Sequence, residues 1–101
     1  MEEKIQKKLG FTIGIFDEIS DNIKKKIYEE SCKCETFGVG VYTDKFIIEN
    51  FMTYPSKSLD ERISIAKKIE GVDFTFIVDT ADSSKVKVII EDAYENYIKN
   101  C

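Results

Sequence analysis

The chain has 101 residues, of which 34% are charged and 43% hydrophobic, and its formal net charge is −4. This length and composition are typical of one small globular domain, so we expect residues 1–101 to form a single unit with a modest core. The acidic balance argues against nucleic acid and anionic membranes as partners. No apolar run reaches the roughly 18 residues that a membrane span requires.

The side chains available for catalysis are limited, because the chain has three cysteines and no histidine. A disulfide framework needs an even number of cysteines, and residues 1–4 lack the basic start of a signal peptide. We therefore expect reduced thiols and a cytoplasmic location. Cys32 and Cys34 have a spacing that does not suit a zinc site, so no metal site is predicted. A redox-responsive role for this cysteine pair is one remaining hypothesis.

Strand and helix patterns alternate along the chain. Residues 1–9 form a polar lead-in with helical spacing, an apolar run at 11–16 predicts a strand, and isoleucines at every fourth position predict a helix over 20–34. A strand at 37–42 and a helical turn after Thr43 follow. The next predicted helix begins at a capping box formed by Ser58 and Glu61 and ends at Gly71. A strand at 72–78 and an amphipathic C-terminal helix complete the chain. This alternation predicts an α/β fold with a small parallel sheet of about three strands flanked by helices.

Three glycines lie in the predicted strands. Gly38 and Gly40 interrupt the second strand, and they indicate the close approach of a helix or a ligand. Gly14 lies near the end of the first strand, just before the N-terminus of the first helix. In α/β folds this junction is a common phosphate site, because free N–H groups and the helix dipole converge there.

Four short segments together resemble the cytidylyltransferase family of small nucleotidyltransferases, and most closely its glycerol-3-phosphate members. These segments are Gly14-Ile15-Phe16-Asp17, Val39-Gly40-Val41-Tyr42-Thr43-Asp44-Lys45-Phe46, Glu61-Arg62 and Gly71-Val72-Asp73. The resemblance covers residues 10–78 and implies a Rossmann-like three-layer nucleotidyltransferase fold, here truncated, with CTP and an accompanying Mg²⁺ as ligands. It implies the nucleotide-binding candidates Gly14, Phe16, Asp17, Asp44, Arg62, Ser83 and Ser84.

The sequence departs from the family where the chemistry lies. Four positions after Phe16 the family has His-x-Gly-His, and this chain has Ser20-Asp21-Asn22-Ile23. Ser20 and Ile23 replace the two histidines, Asn22 replaces the glycine, and Asp21 adds a charge that repels a triphosphate. Loss of one donor aimed at developing charge costs about 10²–10³ in rate. The departure therefore predicts a pseudoenzyme.

The retained residues also have structural interpretations. The alternative for Asp17 is capping of the turn after the first strand, and that for Asp44 is capping together with Thr43. Arg62 could instead form an ion pair on a helix surface. Ser83 and Ser84 could instead belong to an ordinary N-cap at the start of the last helix.

The resemblance also predicts an open sheet edge. Family members continue with two further strands after the third, in the order 3-2-1-4-5, and few residues follow Val78 here. Without those two strands, the first strand lies at an edge that the C-terminal helix, a second copy or another protein must cover. We therefore expect a homodimer or a protein partner at this edge.

Two functions follow as hypotheses. In the first, the chain is a degenerate, catalytically inactive cytidylyltransferase-like domain that acts as a nucleotide-binding or assembly module. In the second, it is an active or weakly active nucleotidyltransferase that condenses CTP with a phosphorylated alcohol and releases pyrophosphate. The sequence leaves open whether the chain is an enzyme.

Overall fold

A computed structural model of the chain describes residues 7–100, which form a three-stranded parallel sheet with helices on both faces. The elements are β1 (Lys7–Gly14), α1 (Asp21–Ser31), β2 (Cys34–Tyr42), α2 (Asp44–Phe51), α3 (Leu59–Lys67), β3 (Phe74–Val78) and α4 (Ser83–Lys99). This architecture confirms the predicted Rossmann-like α/β class. No helix within the described range is long and apolar enough to cross a membrane.

The strand order is β1-β2-β3, so β2 is central and β1 lies at an edge, as the sequence predicts. The first strand begins earlier than predicted, because Lys7 already pairs with Cys34 and the pairing continues to Gly14 opposite Val41. The helical interpretation of residues 7–9 is therefore wrong, and residues 1–6 lie outside the described range. Pairing with a central strand overrides weak helical spacing at a chain end.

The helix boundaries follow local capping chemistry. Ser58 and Glu61 form the predicted capping box, in which the Ser58 hydroxyl accepts from the Glu61 N–H at 3.2 Å and the Glu61 carboxylate accepts from the Ser58 N–H at 3.1 Å. α3 ends at Lys67 rather than at Gly71, and a turn follows it. Gly71 has φ +96°, a left-handed conformation that glycine adopts without strain.

Two apolar clusters lie on opposite faces of the sheet. On one face, β2 packs against α1 and α3 through Ile27, Val39, Val41, Ala66 and Ile69. On the other face, β3 packs against α4 through Phe74, Phe76, Val78 and Ile90. The sheet is therefore the middle layer of three, and the ends of its strands are held in place from both sides.

Gly38 and Gly40 are required for packing between neighbouring strands. A Cβ atom at Gly38 would lie 2.5 Å from the Phe74 ring, and one at Gly40 would lie 2.5 Å from the Phe76 ring. The predicted approach of a helix or a ligand is therefore wrong. Aromatic side chains of β3 occupy the space instead.

We expect Gly38→Ala to lower the free energy of unfolding by about 1–3 kcal/mol, because the added methyl group must displace a buried aromatic ring. Urea denaturation measures this change. Gly14→Ala is the matched control, since its Cβ would lie 3.0 Å from Phe16 beside an open cleft, and its loss is expected to be smaller. Equal losses for the two variants would contradict this account.

Candidate functional site

Arg62 on α3 joins the carboxyl ends of β1 and β2. Its side chain is 0% exposed. The guanidinium donates to the backbone carbonyl of Ile15 at 3.1 Å, of Tyr42 at 2.7 Å and of Lys57 at 3.2 Å. These carbonyls belong to the loop after β1, the end of β2 and the loop before α3. One planar donor group therefore ties together the three segments that surround the predicted site.

Arg62 also forms an ion pair with Asp44, the first residue of α2. The surface interpretation of Arg62 is therefore wrong, although its expected ion pair exists. The neighbouring Thr43 is the N-cap of α2, because its hydroxyl accepts from the Phe46 N–H at 3.2 Å. The sequence predicts capping by Thr43 and Asp44 together. In the structure Thr43 caps the helix, and Asp44 forms the ion pair with Arg62 instead.

The carboxylate of Asp17 holds the loop that precedes α3. It accepts from the N–H of Ser56 at 2.6 Å, from the Ser56 hydroxyl at 3.1 Å and from the N–H of Lys57 at 2.9 Å. The pKa of Asp17 is lowered, and the hydrogen bond from the Ser56 N–H is the largest cause. Partial burial of the carboxylate raises this pKa, whereas the Lys57 N–H, the Ser56 hydroxyl and the charge of Arg62 lower it further. Asp17 contacts a segment about 40 residues away, so its expected capping of the adjacent turn is wrong.

Gly14, Phe16 and Ile23 line one open cleft of about 800 Å³ between β1 and α1. The resemblance implied nucleotide binding by Gly14 and Phe16, and the fold places both in one cleft with Ile23, where the family has a histidine. Nucleotide binding by Gly14 and Phe16 stays a prediction. Phe16 has φ 61°, a left-handed conformation that is uncommon for a bulky residue, and its ring packs against the core under α1. The cleft is lined by both charge signs, from Glu18, Glu30, Lys26 and Lys33.

Residues 20–23, where the family resemblance implies a histidine motif, form the start of α1. The Ser20 hydroxyl accepts from the Ile23 N–H at 3.3 Å, which makes Ser20 the N-cap. Asp21 is the first helical residue and Asn22 is exposed. The Ile23 side chain is 47% exposed at the rim of the cleft. The segment therefore provides a helix cap and an apolar rim of the cleft.

Ser83 and Ser84 begin α4, which packs on the other face of the sheet from α1 and α3. The Ser84 hydroxyl and N–H each donate to Asp82 at 2.9 Å, and these two bonds lower the pKa of Asp82. Ser83 lines a second cleft, of about 600 Å³, between β1 and α4. The bonds support the capping interpretation, and nucleotide binding by Ser83 and Ser84 stays a prediction.

The sequence reasoning missed Ser56 and Lys57, whose backbone groups complete the site. No local pattern marks them, because the groups involved are N–H and C=O groups that every residue except proline carries. Their role depends on Asp17 and Arg62 reaching the same loop from two different elements.

A metal role finds no support in the part of the chain that the structure describes, where no three histidine, cysteine, aspartate or glutamate side chains are grouped to hold an ion. Mg²⁺ that accompanies a nucleotide is usually held by the phosphates with one or two carboxylates. The predicted Mg²⁺ therefore depends on whether a nucleotide binds.

We expect Arg62→Met to lower the free energy of unfolding by about 1–3 kcal/mol, because it leaves three part-buried carbonyl groups without their common donor, whereas Asp44 is 54% exposed and returns to water. Chemical denaturation with circular dichroism measures the loss. Lys67→Met, at an exposed position of the same helix, is the control for removing one positive charge, and we expect it to change the free energy of unfolding by under about 0.5 kcal/mol. A loss no larger than the control's would show that Arg62 does not hold the strand ends.

We expect the Asp17 contacts to make stability depend on pH in the acid range. The folded-state pKa lies below the ordinary value of 3.8, so the contribution is complete above that value and is lost as pH falls through the folded pKa. Asp17→Asn is expected to lose about 1 kcal/mol at neutral pH and to weaken the acid dependence.

Thermal unfolding across the acid range measures this effect. Asp92→Asn on an exposed part of α4 is the control for removal of one carboxylate. Parallel stability profiles for Asp17→Asn and the unchanged chain would refute the assignment.

No known protein-family model matches this sequence, and no curated protein matches it. The structure is similar to the crystal structure of the lipopolysaccharide core biosynthesis protein from Thermoplasma volcanium GSS1, with a TM-score of 0.62 and 18% sequence identity. The match covers 80% of this chain and 66% of the length of that protein. At this identity the likeness shows the fold alone, and it agrees with the Rossmann-like architecture described above.

Proposed function

We propose that this chain is a degenerate cytidylyltransferase-like domain that does not transfer nucleotidyl groups and that acts as a binding or assembly module. The observation that carries the proposal is the start of α1. There Ser20 caps the helix and Ile23 lies at the rim of the cleft, at the positions where the resemblance implies two histidines.

The proposal has an electrostatic basis. Nucleotidyl transfer places increasing negative charge on the departing pyrophosphate, and catalysis requires donors aimed at that charge. Ser20 offers only a neutral hydroxyl, and the Ile23 side chain has no polar atom, so neither position supplies a cationic donor such as an imidazolium. Asp21 adds a carboxylate in the first turn of α1, where a phosphate would otherwise benefit from the helix dipole.

The retained family residues support the same conclusion, because their polar groups take part in internal contacts. Arg62 contacts three carbonyls and Asp44, and Asp17 holds the loop at Ser56. These contacts preserve the shape of a nucleotidyltransferase-like cleft.

The alternative is a nucleotidyltransferase that condenses CTP with a phosphorylated alcohol. Two observations favour it. Lys26 and Lys33 line the cleft beside Gly14, and lysines of this kind bind phosphates. The protein of similar fold is named a lipopolysaccharide core biosynthesis protein.

We expect the purified chain to release no pyrophosphate above background when it is incubated with CTP, Mg²⁺ and glycerol 3-phosphate. Loss of two charge-stabilising donors, each worth about 10²–10³ in rate, is the physical reason. A coupled pyrophosphate assay measures turnover. Turnover by the unchanged chain would overturn the proposal in favour of the alternative.

The triple variant Ser20→His, Asn22→Gly, Ile23→His is the matched test of the same positions. In an inactive domain it either creates turnover or leaves it absent, whereas in a working enzyme it changes an existing rate modestly. Calorimetric titration with CTP, compared with ATP, separates the two kinds of module. CTP-selective binding identifies a nucleotide-binding domain, and absence of heat for both nucleotides identifies an assembly domain.

A further inference from the structure

The outer edge of β1 is open. β2 pairs with β1 on one side, and within residues 7–100 no strand pairs with its other side. Between positions 8 and 14 only Gly10 is buried, whereas six of the nine residues of β2 are buried. An edge of this kind presents a row of backbone donors and acceptors that another strand can pair with.

Two clefts flank this edge, one on each face of the sheet. The cleft on the α1 face has a floor of small residues, Gly10, Thr12 and Gly14. The cleft on the α4 face is lined by Leu9, Phe11 and Ile13. Phe11 borders both clefts and its side chain is 50% exposed. The strand carries Lys7 and Lys8 at its amino end, and no charged residue follows them up to Gly14. Edge strands are usually protected by charges or proline, so this uncharged stretch indicates that something covers it.

The sequence of β1 is complementary to itself when two copies run antiparallel. A two-fold axis at Phe11 places the two Phe11 side chains opposite each other and places Leu9 opposite Ile13 of the second copy. Gly10 then lies opposite Thr12 of the second copy on the other face. Directly opposed side chains have Cβ atoms about 4.5–5.5 Å apart, close enough for apolar contact. A slip of one residue would place the apolar residues of the two copies on opposite faces.

The charges beside β1 favour the same orientation. Glu18 lines the α1-face cleft near the carboxyl end of β1, and Lys33 lines it near the amino end. Antiparallel pairing brings Glu18 of each copy toward Lys33 of the other. Within one copy, Lys33 contacts Glu30 at 3.8 Å, and both side chains are exposed. An exposed ion pair of this kind contributes little to stability, so Lys33 can leave Glu30 for Glu18 of the second copy at little cost.

From these observations we propose that a second copy of this chain pairs antiparallel with the edge of β1, across a two-fold axis at Phe11, and forms a continuous six-stranded sheet. Such an interface is isologous, so each copy satisfies the open edge of the other and the assembly closes at two chains. The proposal rests on the proposed function, since it names the partner of the assembly module.

The test is the mass in solution of the full chain, measured by light scattering after size-exclusion chromatography at micromolar concentration. We expect twice the chain mass of 11.6 kDa for the unchanged chain. We expect a monomer for Phe11→Lys, because the variant places a charge on the axis of the interface. Ile77→Lys is the matched control, since Ile77 is 47% exposed on β3 at the opposite edge, and this variant should remain a dimer.

A cysteine variant tests the axis even if Phe11→Lys folds poorly. In a chain with Cys32, Cys34 and Cys101 changed to serine, Phe11→Cys should form a disulfide-linked dimer under mild oxidation, because residues opposed on a two-fold axis lie within disulfide range. Ile77→Cys in the same background should not. A monomeric unchanged chain, or crosslinking through position 77 and not 11, would overturn the proposal.

The two proposals fail separately, because one is measured by mass and the other by turnover. A monomer that releases no pyrophosphate overturns the edge pairing and leaves the inactive domain standing. A dimer that turns over CTP overturns the inactive domain and leaves the edge pairing standing.

Discussion

The site depends on the hydrogen bonds and the ion pair that the buried guanidinium of Arg62 forms. The guanidinium contacts the ends of β1 and β2, the loop before α3 and the carboxylate of Asp44. A fully buried charge is tolerated only when acceptors surround it, and these acceptors come from segments far apart in the chain. Arg62 therefore fixes the relative positions of the elements at the carboxyl ends of the strands, where ligands bind in open α/β sheets.

An open cleft lies between β1 and α1, on the side of the sheet where Arg62 joins the strand ends. The cleft between β1 and α1 is formed by Gly14 and Phe16, which the family resemblance singles out. The neighbouring helix start is capped by Ser20 and bordered by Ile23. The polar contacts that hold the segments around this cleft together are internal. The fold is similar to that of a lipopolysaccharide core biosynthesis protein, and a fold does not by itself determine the chemistry of a site.

The position of β1 links the architecture to the proposed assembly. In a parallel sheet an edge strand keeps half of its backbone groups unpaired, and here that strand also carries the exposed Phe11 between two clefts. The same strand contributes Gly14 to the candidate site. Covering the edge would therefore also change the surroundings of the cleft.

The sequence by itself determined the alternation of strands and helices, the capping box at Ser58 and Glu61, and the absence of histidine from the site, because periodicity, caps and composition are local properties. Only the tertiary structure decided that Arg62 is buried rather than on a surface, that Asp17 reaches Ser56, and that Phe74 and Phe76 fill the space above Gly38 and Gly40. Each of these outcomes depends on elements that are distant in sequence and meet only after the sheet has formed, so no local pattern carries them.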